Sequence, residues 1–178
     1  RLLVLGGVLA AFGLRLYDLG AGSLWYDETA SVHIARMAPP AIIANHAGDI
    51  HPPAYFLLLH GWMQLTQPRL GHGFEFLLTW PSLWFGVATV ALIFALGRRL
   101  FNPMVAVTAL WLTALSPFQL WFSQEVRMYA LGGFLGLLCL WSALQFVAGR
   151  NRVRWLAVYG LPATAGLYTL YLLAFVLV

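Results

Sequence analysis

From Met128 to Val147 the chain carries no charged side chain, and the same is true from Phe76 to Leu96. A transmembrane helix needs about 20 predominantly apolar residues, so each run has the length of a span. Leu2–Leu16, broken only by Arg15, and the runs Val105–Phe122 and Trp155–Val178 supply three more. Hydrophobic residues make up 61 % of the chain and charged residues 9 %, with a mean hydropathy of +0.79. A soluble domain carries about 25 % charged residues, so the sequence predicts an all-α integral membrane protein. A pI of 9.6 does not signal nucleic-acid binding, because all ten basic residues are scattered arginines that form no basic stripe. The single cysteine, Cys139, lies inside an apolar run and supports neither a disulfide framework nor a thiolate metal site.

The apolar run Tyr55–Thr66 is too short to span and contains His60 and Gln64, which suits an interfacial helix. Topology follows from the arginines. Arg98-Arg99 and the group Arg150, Arg152 and Arg154 lie on loops two spans apart, so both can face the cytoplasm. Asp18, Asp27, Glu28, Asp49, Glu75 and Glu125 then share the opposite face. Residues 19–75 become one extracytoplasmic loop within a single polytopic membrane domain, 1–178. Short helical patterns occur at Glu28–Met37, ended by Pro39-Pro40, and at Ala41–His46. Trp25, Tyr26, Trp62 and Trp80 fit an aromatic belt at the interface, and Arg15 is expected to snorkel towards it. The chain opens at Arg1 and stops inside an apolar run, as expected of the amino-terminal part of a longer protein.

The polar residues gather in a few places. Leu24-Trp25-Tyr26-Asp27-Glu28 sets two adjacent carboxylates after the first apolar segment, in a chain with only six acidic residues. His46, Asp49 and His51-Pro52-Pro53 follow, and then Ser123-Gln124-Glu125-Val126-Arg127-Met128-Tyr129. Ionisable groups beside a bilayer are costly, so several at one face suggest a working site. The structural alternatives are ordinary ones. Asp27 suits a helix N-cap and Glu28 a first turn. Glu125 suits a surface pair with Arg127, Tyr129 an interfacial anchor, and His60 a satisfied structural histidine.

The order Leu-Trp-Tyr-Asp-Glu, His-Pro-Pro, Gly-Arg-Arg-Leu-Phe and Trp-Phe-Ser-Gln-Glu-Val-Arg-Met-Tyr-Ala resembles the amino-terminal half of bacterial GT-C glycosyltransferases. The similarity is to the branch related to protein O-mannosyltransferases and lipid A aminoarabinose transferases, and it runs from Arg1 to Val178. It implies a polytopic helical GT-C-like domain with juxtamembrane helices in the first outer loop. A catalytic aspartate in that loop matches Asp27, and a second acid on the next outer loop matches Glu125. It also implies a polyprenyl-phosphate sugar donor, an acceptor outside the cytoplasm (protein, lipid or glycan), and a multi-pass place in the bacterial inner membrane among its lipids. Aminoarabinose-branch relatives carry an acid and a lysine before the proline near His51; this chain has no lysine, so His51 stands in as a phosphate contact.

The chemistry asks for such groups. A hydroxyl or amine attacking an anomeric carbon loses a proton, so one carboxylate within hydrogen-bond reach acts as base, and Asp27 is the candidate. The phosphate leaves without a partner acid, unlike the leaving group of a glycosidase. It does need positive charge, which the planar fork of Arg127 supplies, with His51 and Tyr129 as further candidate phosphate contacts. Glu28 and Glu125 are the supporting acids. Asp49, His51 and Glu125 are candidate ligands for a divalent metal, although no ligand spacing is diagnostic. Two other functions compete. A transporter or flippase of lipid-linked substrates would show broken midplane helices and inverted repeats, whereas few prolines, Pro117 and Pro162 among them, interrupt these spans. A catalytically silent membrane scaffold would have no need of Asp27.

Overall fold

The computed structural model describes residues 1–46, 51–69, 73–149 and 152–177, and among them the regular structure is all helix, with no strand. Asp49, Arg150 and the side chain of Arg152 lie outside that description. The helices run in the order α1 (Leu2–Leu16), α2 (Tyr26–Ala35), α3 (Pro39–Asn45), α4 (Ala54–Thr66), α5 (Phe74–Leu100), α6 (Pro103–Leu115), α7 (Pro117–Ser123), α8 (Tyr129–Val147) and α9 (Arg152–Leu167). A 3₁₀ turn at Tyr171–Leu173 leads into the short α10 (Ala174–Leu177).

The two runs without charge become the two helices long and apolar enough to cross a membrane alone, α5 with 27 residues and α8 with 19. At 1.5 Å per residue α5 is about 40 Å long, more than the hydrocarbon core, which sets Glu75 and Arg98-Arg99 towards the polar zones. Pro81 sits inside α5. It cannot donate to the Leu77 carbonyl four residues back. Trp62 of α4 takes the vacancy, its indole Nε1–H donating to Leu77 O at 2.7 Å, so the proline creates the acceptor that docks α4. At 13 residues, α4 is too short to cross, as its sequence indicated.

Three expected spans differ. Val105–Phe122 is not one rod: α6 ends at Leu115, Ser116 adopts an extended conformation, and α7 restarts on Pro117 with a 59° bend. Pro117 lacks the N–H that would continue the ladder but is well placed at a helix start. Counted as one, the bent pair is a third candidate span, while α1 is apolar but only 15 residues long. The run Trp155–Val178 is not continuous either. α9 stops at Leu167, and the chain turns so that Tyr168 O accepts the N–H of Ala54 at 2.8 Å. The reason lies in small residues. Gly132, Gly136 and Gly166 form a slot that receives Leu170 and Leu173, and a Cβ at Gly136 or Gly166 would come within 3.0 Å of Leu173. Arg15 does not snorkel. It is fully buried, with its hydrogen bonds made inside the bundle. The first loop helix stops at Ala35, ahead of Pro39-Pro40 as expected, and the same two prolines open α3.

The two ends of the bundle differ in charge. At one, Gln124 donates to Tyr17 O, tying the end of α7 to the end of α1, Ala54 donates to Tyr168 O, tying the start of α4 to the residue after α9, and Trp62 of α4 donates to Leu77 O near the start of α5. At the other, Arg1, Arg98 and Pro103 line a shared cavity. The largest core lies at the first end. Val32, Ala35 and Ile42 from the loop helices pack with Tyr55, Phe56 and Leu59 of α4, and with Leu78, Val126, Met128 and Leu131. Burial of these side chains presses the loop helices against the bundle and fixes the segments that carry the acids.

Candidate active site

Trp25 is the N-cap of α2, so Asp27 falls in the first turn and is not the cap. Glu28 does the local work of holding that turn, accepting the Trp25 N–H on Oε2 at 3.2 Å. Its other oxygen reaches across the molecule and accepts the Val126 N–H at 2.8 Å. Both acceptors of this buried carboxylate are therefore used by backbone. Ser31, one turn further along α2, donates to Asp27 O at 2.8 Å. Asp27 itself is left open, its side chain retaining 39 % of its exposure.

Arg127 joins the second loop to the first. Its Nη1 donates to Asp27 O and to Ser31 Oγ, each at 3.3 Å, and its Nη2 lies 3.7 Å from Asp27 Oδ2. The guanidinium also sits 5.7 Å from the ring centre of Tyr129, a cation–π arrangement. The long approach to the Asp27 carboxylate leaves that group free lone pairs for a proton. Among the described residues the buried Arg127 Nε–H has no hydrogen-bond partner.

Glu125 faces the same cluster from the other side. The Trp121 indole N–H donates to Glu125 Oε1 at 2.6 Å, an i to i+4 contact. Burial raises the Glu125 carboxyl above its ordinary pKa, and nearby Glu28 and Asp27 raise it further, while Trp121 and Arg127 pull the other way. Two cavities flank this segment. One of about 230 Å³ is lined by Asp18, Glu28, Glu75 and Glu125 together with Trp25 and Trp121. The other, about 650 Å³, runs from Tyr129 along Phe122, Phe118, Leu137 and Leu173 and is mostly apolar.

The structure thus brings Asp27, Glu28, Glu125, Arg127 and Tyr129 into one neighbourhood. His51 is half-buried just ahead of α4, two residues before the N-cap Pro53. Among the described residues no three His, Cys, Asp or Glu side chains form a metal-binding group, so His51 and Glu125 do not complete a ligand set there. Asp49 lies outside the described residues. The sequence did not single out Ser31 or Trp121, although each is a helical residue four positions from an acid. Asp18 and Glu75 were read only as outer-face charges, yet both line the acidic cavity.

Compared with known families, residues 50–178 match the model of the dolichyl-phosphate-mannose-protein mannosyltransferases. That stretch takes in Glu125, Arg127 and Tyr129 and leaves Asp27 and Glu28 outside it. No curated protein and no solved structure matches the chain.

Proposed function

The chain belongs to the dolichyl-phosphate-mannose-protein mannosyltransferase family, and from that premise we propose that it moves a sugar from a polyprenyl-phosphate carrier to an acceptor outside the cytoplasm. In this reading Asp27 takes the proton from the acceptor hydroxyl or amine as the oxygen or nitrogen bonds to the anomeric carbon. The bond from that carbon to the phosphate oxygen breaks, and its electron pair leaves with the polyprenyl phosphate. Arg127, with Tyr129 beside it, meets the charge gathering on the departing phosphate. The mostly apolar cavity beside Tyr129 suits the first isoprene units of the carrier, since Phe118, Phe122, Leu137 and Leu173 offer hydrocarbon, with Thr89, Thr113 and Gln119 also in its lining. The active site would then face the outside of a bacterial inner membrane.

The observation that carries this reading is the contact of Arg127 with Asp27, from loops 100 residues apart in sequence. A base and a phosphate-binding fork are thereby held within one site. Glu28 is read as a structural partner, since both its oxygens are occupied by backbone N–H groups. The test is transfer from a polyprenyl-phosphate sugar by the full-length protein in membranes, comparing wild type with Asp27→Asn. Loss of turnover with donor binding retained supports the reading; undiminished turnover removes Asp27 from the chemistry.

A further inference from the structure

Arg15 is a fully buried arginine in a helix with no other charged residue. Among the described residues no carboxylate lies within ion-pair distance of it. A charge in that position is costly unless the fold surrounds it with acceptors. Its acceptors are two backbone carbonyls, one of them at a helix end, and a hydroxyl. Nη1 donates to Ala11 O at 3.1 Å, in the last turns of its own helix, and to Ala114 O at 3.4 Å, at the end of α6. The last carbonyls of a helix lack intrahelical partners and form the negative end of its dipole. Ala114 O is such a carbonyl, whereas Ala11 O lies within α1, so Arg15 meets the end of α6 from the last turn of α1, and the break at Ser116-Pro117 is what exposes that end.

The third contact reaches further. Arg15 Nε donates to Ser123 Oγ at 3.0 Å, at the last residue of α7. The next residue, Gln124, returns the contact: its amide donates to Arg15 O at 3.1 Å and to Tyr17 O at 2.7 Å. The end of α1 and the end of α7 are thus latched in both directions. Gly86 of α5 makes room for the latch. A Cβ there would run into Ser123 Oγ and come within 2.9 Å of Arg15 Nε. Immediately beyond the latch the chain leaves helical geometry, and Glu125, Val126 and Arg127 follow before α8 begins.

We propose that Arg15 is a positioning residue for the transfer reaction: by fixing α7 to the end of α1 across the bend, it sets where Glu125 and Arg127 meet Asp27. The proposal rests on the assignment of Arg127 to the donor phosphate only for its kinetic consequence; its structural consequence stands alone. Arg15 touches no reacting group and acts through Ser123 and the segment that follows.

The experiment uses the full-length protein with Arg15→Gln, Arg15→Lys and Ser123→Ala. Spin labels at the exposed positions Tyr26 and Phe118, in a cysteine-free background, report the placement of α7 against α2. A control pair at Trp84 and Leu140 reports the bundle. Arg15→Gln is expected to broaden the first distance distribution and leave the second unchanged. An unchanged Tyr26–Phe118 distribution overturns the proposal, whatever the kinetics. In turnover assays Arg15→Gln should raise the donor KM about tenfold or more, as the loss of buried charged hydrogen bonds implies. Arg15→Lys should recover part of that loss, and Ser123→Ala should show a smaller rise of the same kind. Combined with Arg127→Ala, Arg15→Gln should add little, since both act on one contact. Full additivity overturns the coupling. If Arg15→Gln does not fold, Ser123→Ala carries the same test: broadening supports the latch, and a wild-type distribution and donor KM reject it. A normal donor KM in Arg127→Ala would instead reject the phosphate assignment and leave the spin-label result to decide on Arg15.

Discussion

The first turn of α2 and the segment between α7 and α8 each bring an acid to the same place, but they are held by different means. The first is local. Glu28 caps its own helix and Ser31 braces Asp27 from one turn away, so the geometry belongs to a short stretch of chain. The second is borrowed. Glu125 to Met128 have no helix of their own, and their positions depend on Trp121, on Glu28 from α2 and on Arg15 from α1. The comparison teaches that the open carboxylate stands on a self-supporting element, while the cation that meets it is placed by the rest of the molecule. Substitutions on the two sides should therefore fail differently.

The largest effect is expected at Asp27. Asp27→Asn keeps the size of the side chain and the contacts of its backbone but removes the base, and loss of a general base costs about 10²–10⁴-fold in turnover. The unfolding midpoint should stay close to wild type, because α2 keeps its cap. A large fall in stability would mean that this side is not self-supporting and would break the contrast. Next comes Arg127→Ala, which removes charge-assisted hydrogen bonds contributing about 1.5–3 kcal/mol each. Donor affinity measured in detergent should weaken along with turnover, and Arg127→Lys should restore only part, since a point charge cannot reproduce the planar fork. Wild-type affinity in both variants would leave Arg127 a structural tie and nothing more.

The same contrast explains what could be read from the sequence. The first-turn place of Glu28 and the membrane-length runs of α5 and α8 were legible because first-turn acids and long apolar runs are local signals, whereas Asp27, suited by type to an N-cap, falls inside the turn that Trp25 caps. That α4 is too short to span was legible from the length of its apolar run. The bend at Ser116-Pro117 was hidden by apolar composition, which is the same for a straight span and a broken one. The turn after Leu167 was hidden for a related reason: it depends on Gly132, Gly136 and Gly166 receiving Leu173, a long-range packing event. Arg15 misled most. Near a helix end an arginine ordinarily reaches for the interface, and only the arrival of the Ala114 carbonyl and Ser123 gives it a reason to turn inward.

Glu28→Gln tests the tie between the two sides at a smaller scale. The carboxylate accepts two backbone N–H groups, and a carboxamide offers one oxygen and sets an NH₂ against the other donor. The folded protein should lose about 1.5–3 kcal/mol, the contribution of a charged hydrogen bond, seen as a lower unfolding midpoint in detergent. Activity per folded molecule should fall far less than in Asp27→Asn. Turnover collapsing to the same depth would make Glu28 a reacting group and erase the distinction between the adjacent acids.

The smallest effect concerns the proton on Glu125. Burial, with Glu28 and Asp27 nearby, holds its folded pKa above the ordinary carboxylate value. In the window between the two values the folded state binds more protons than the unfolded one, so stability falls as pH rises through it. Below the ordinary value both states are protonated, and above the raised value both are ionised, so the slope vanishes on either side. Glu125→Gln is neutral at every pH and should flatten this portion of the profile of unfolding midpoint against pH. Trp121→Phe removes the N–H that favours the ionised form, so it should carry the falling portion further towards alkaline pH. Asp27→Asn removes one of the charges that raise the Glu125 pKa and should draw that portion slightly back. If Glu125→Gln left the profile unchanged, its titration would not be linked to folding, and the borrowed segment would owe its placement to Arg15, Trp121 and Glu28 without help from the charge state of its own acid.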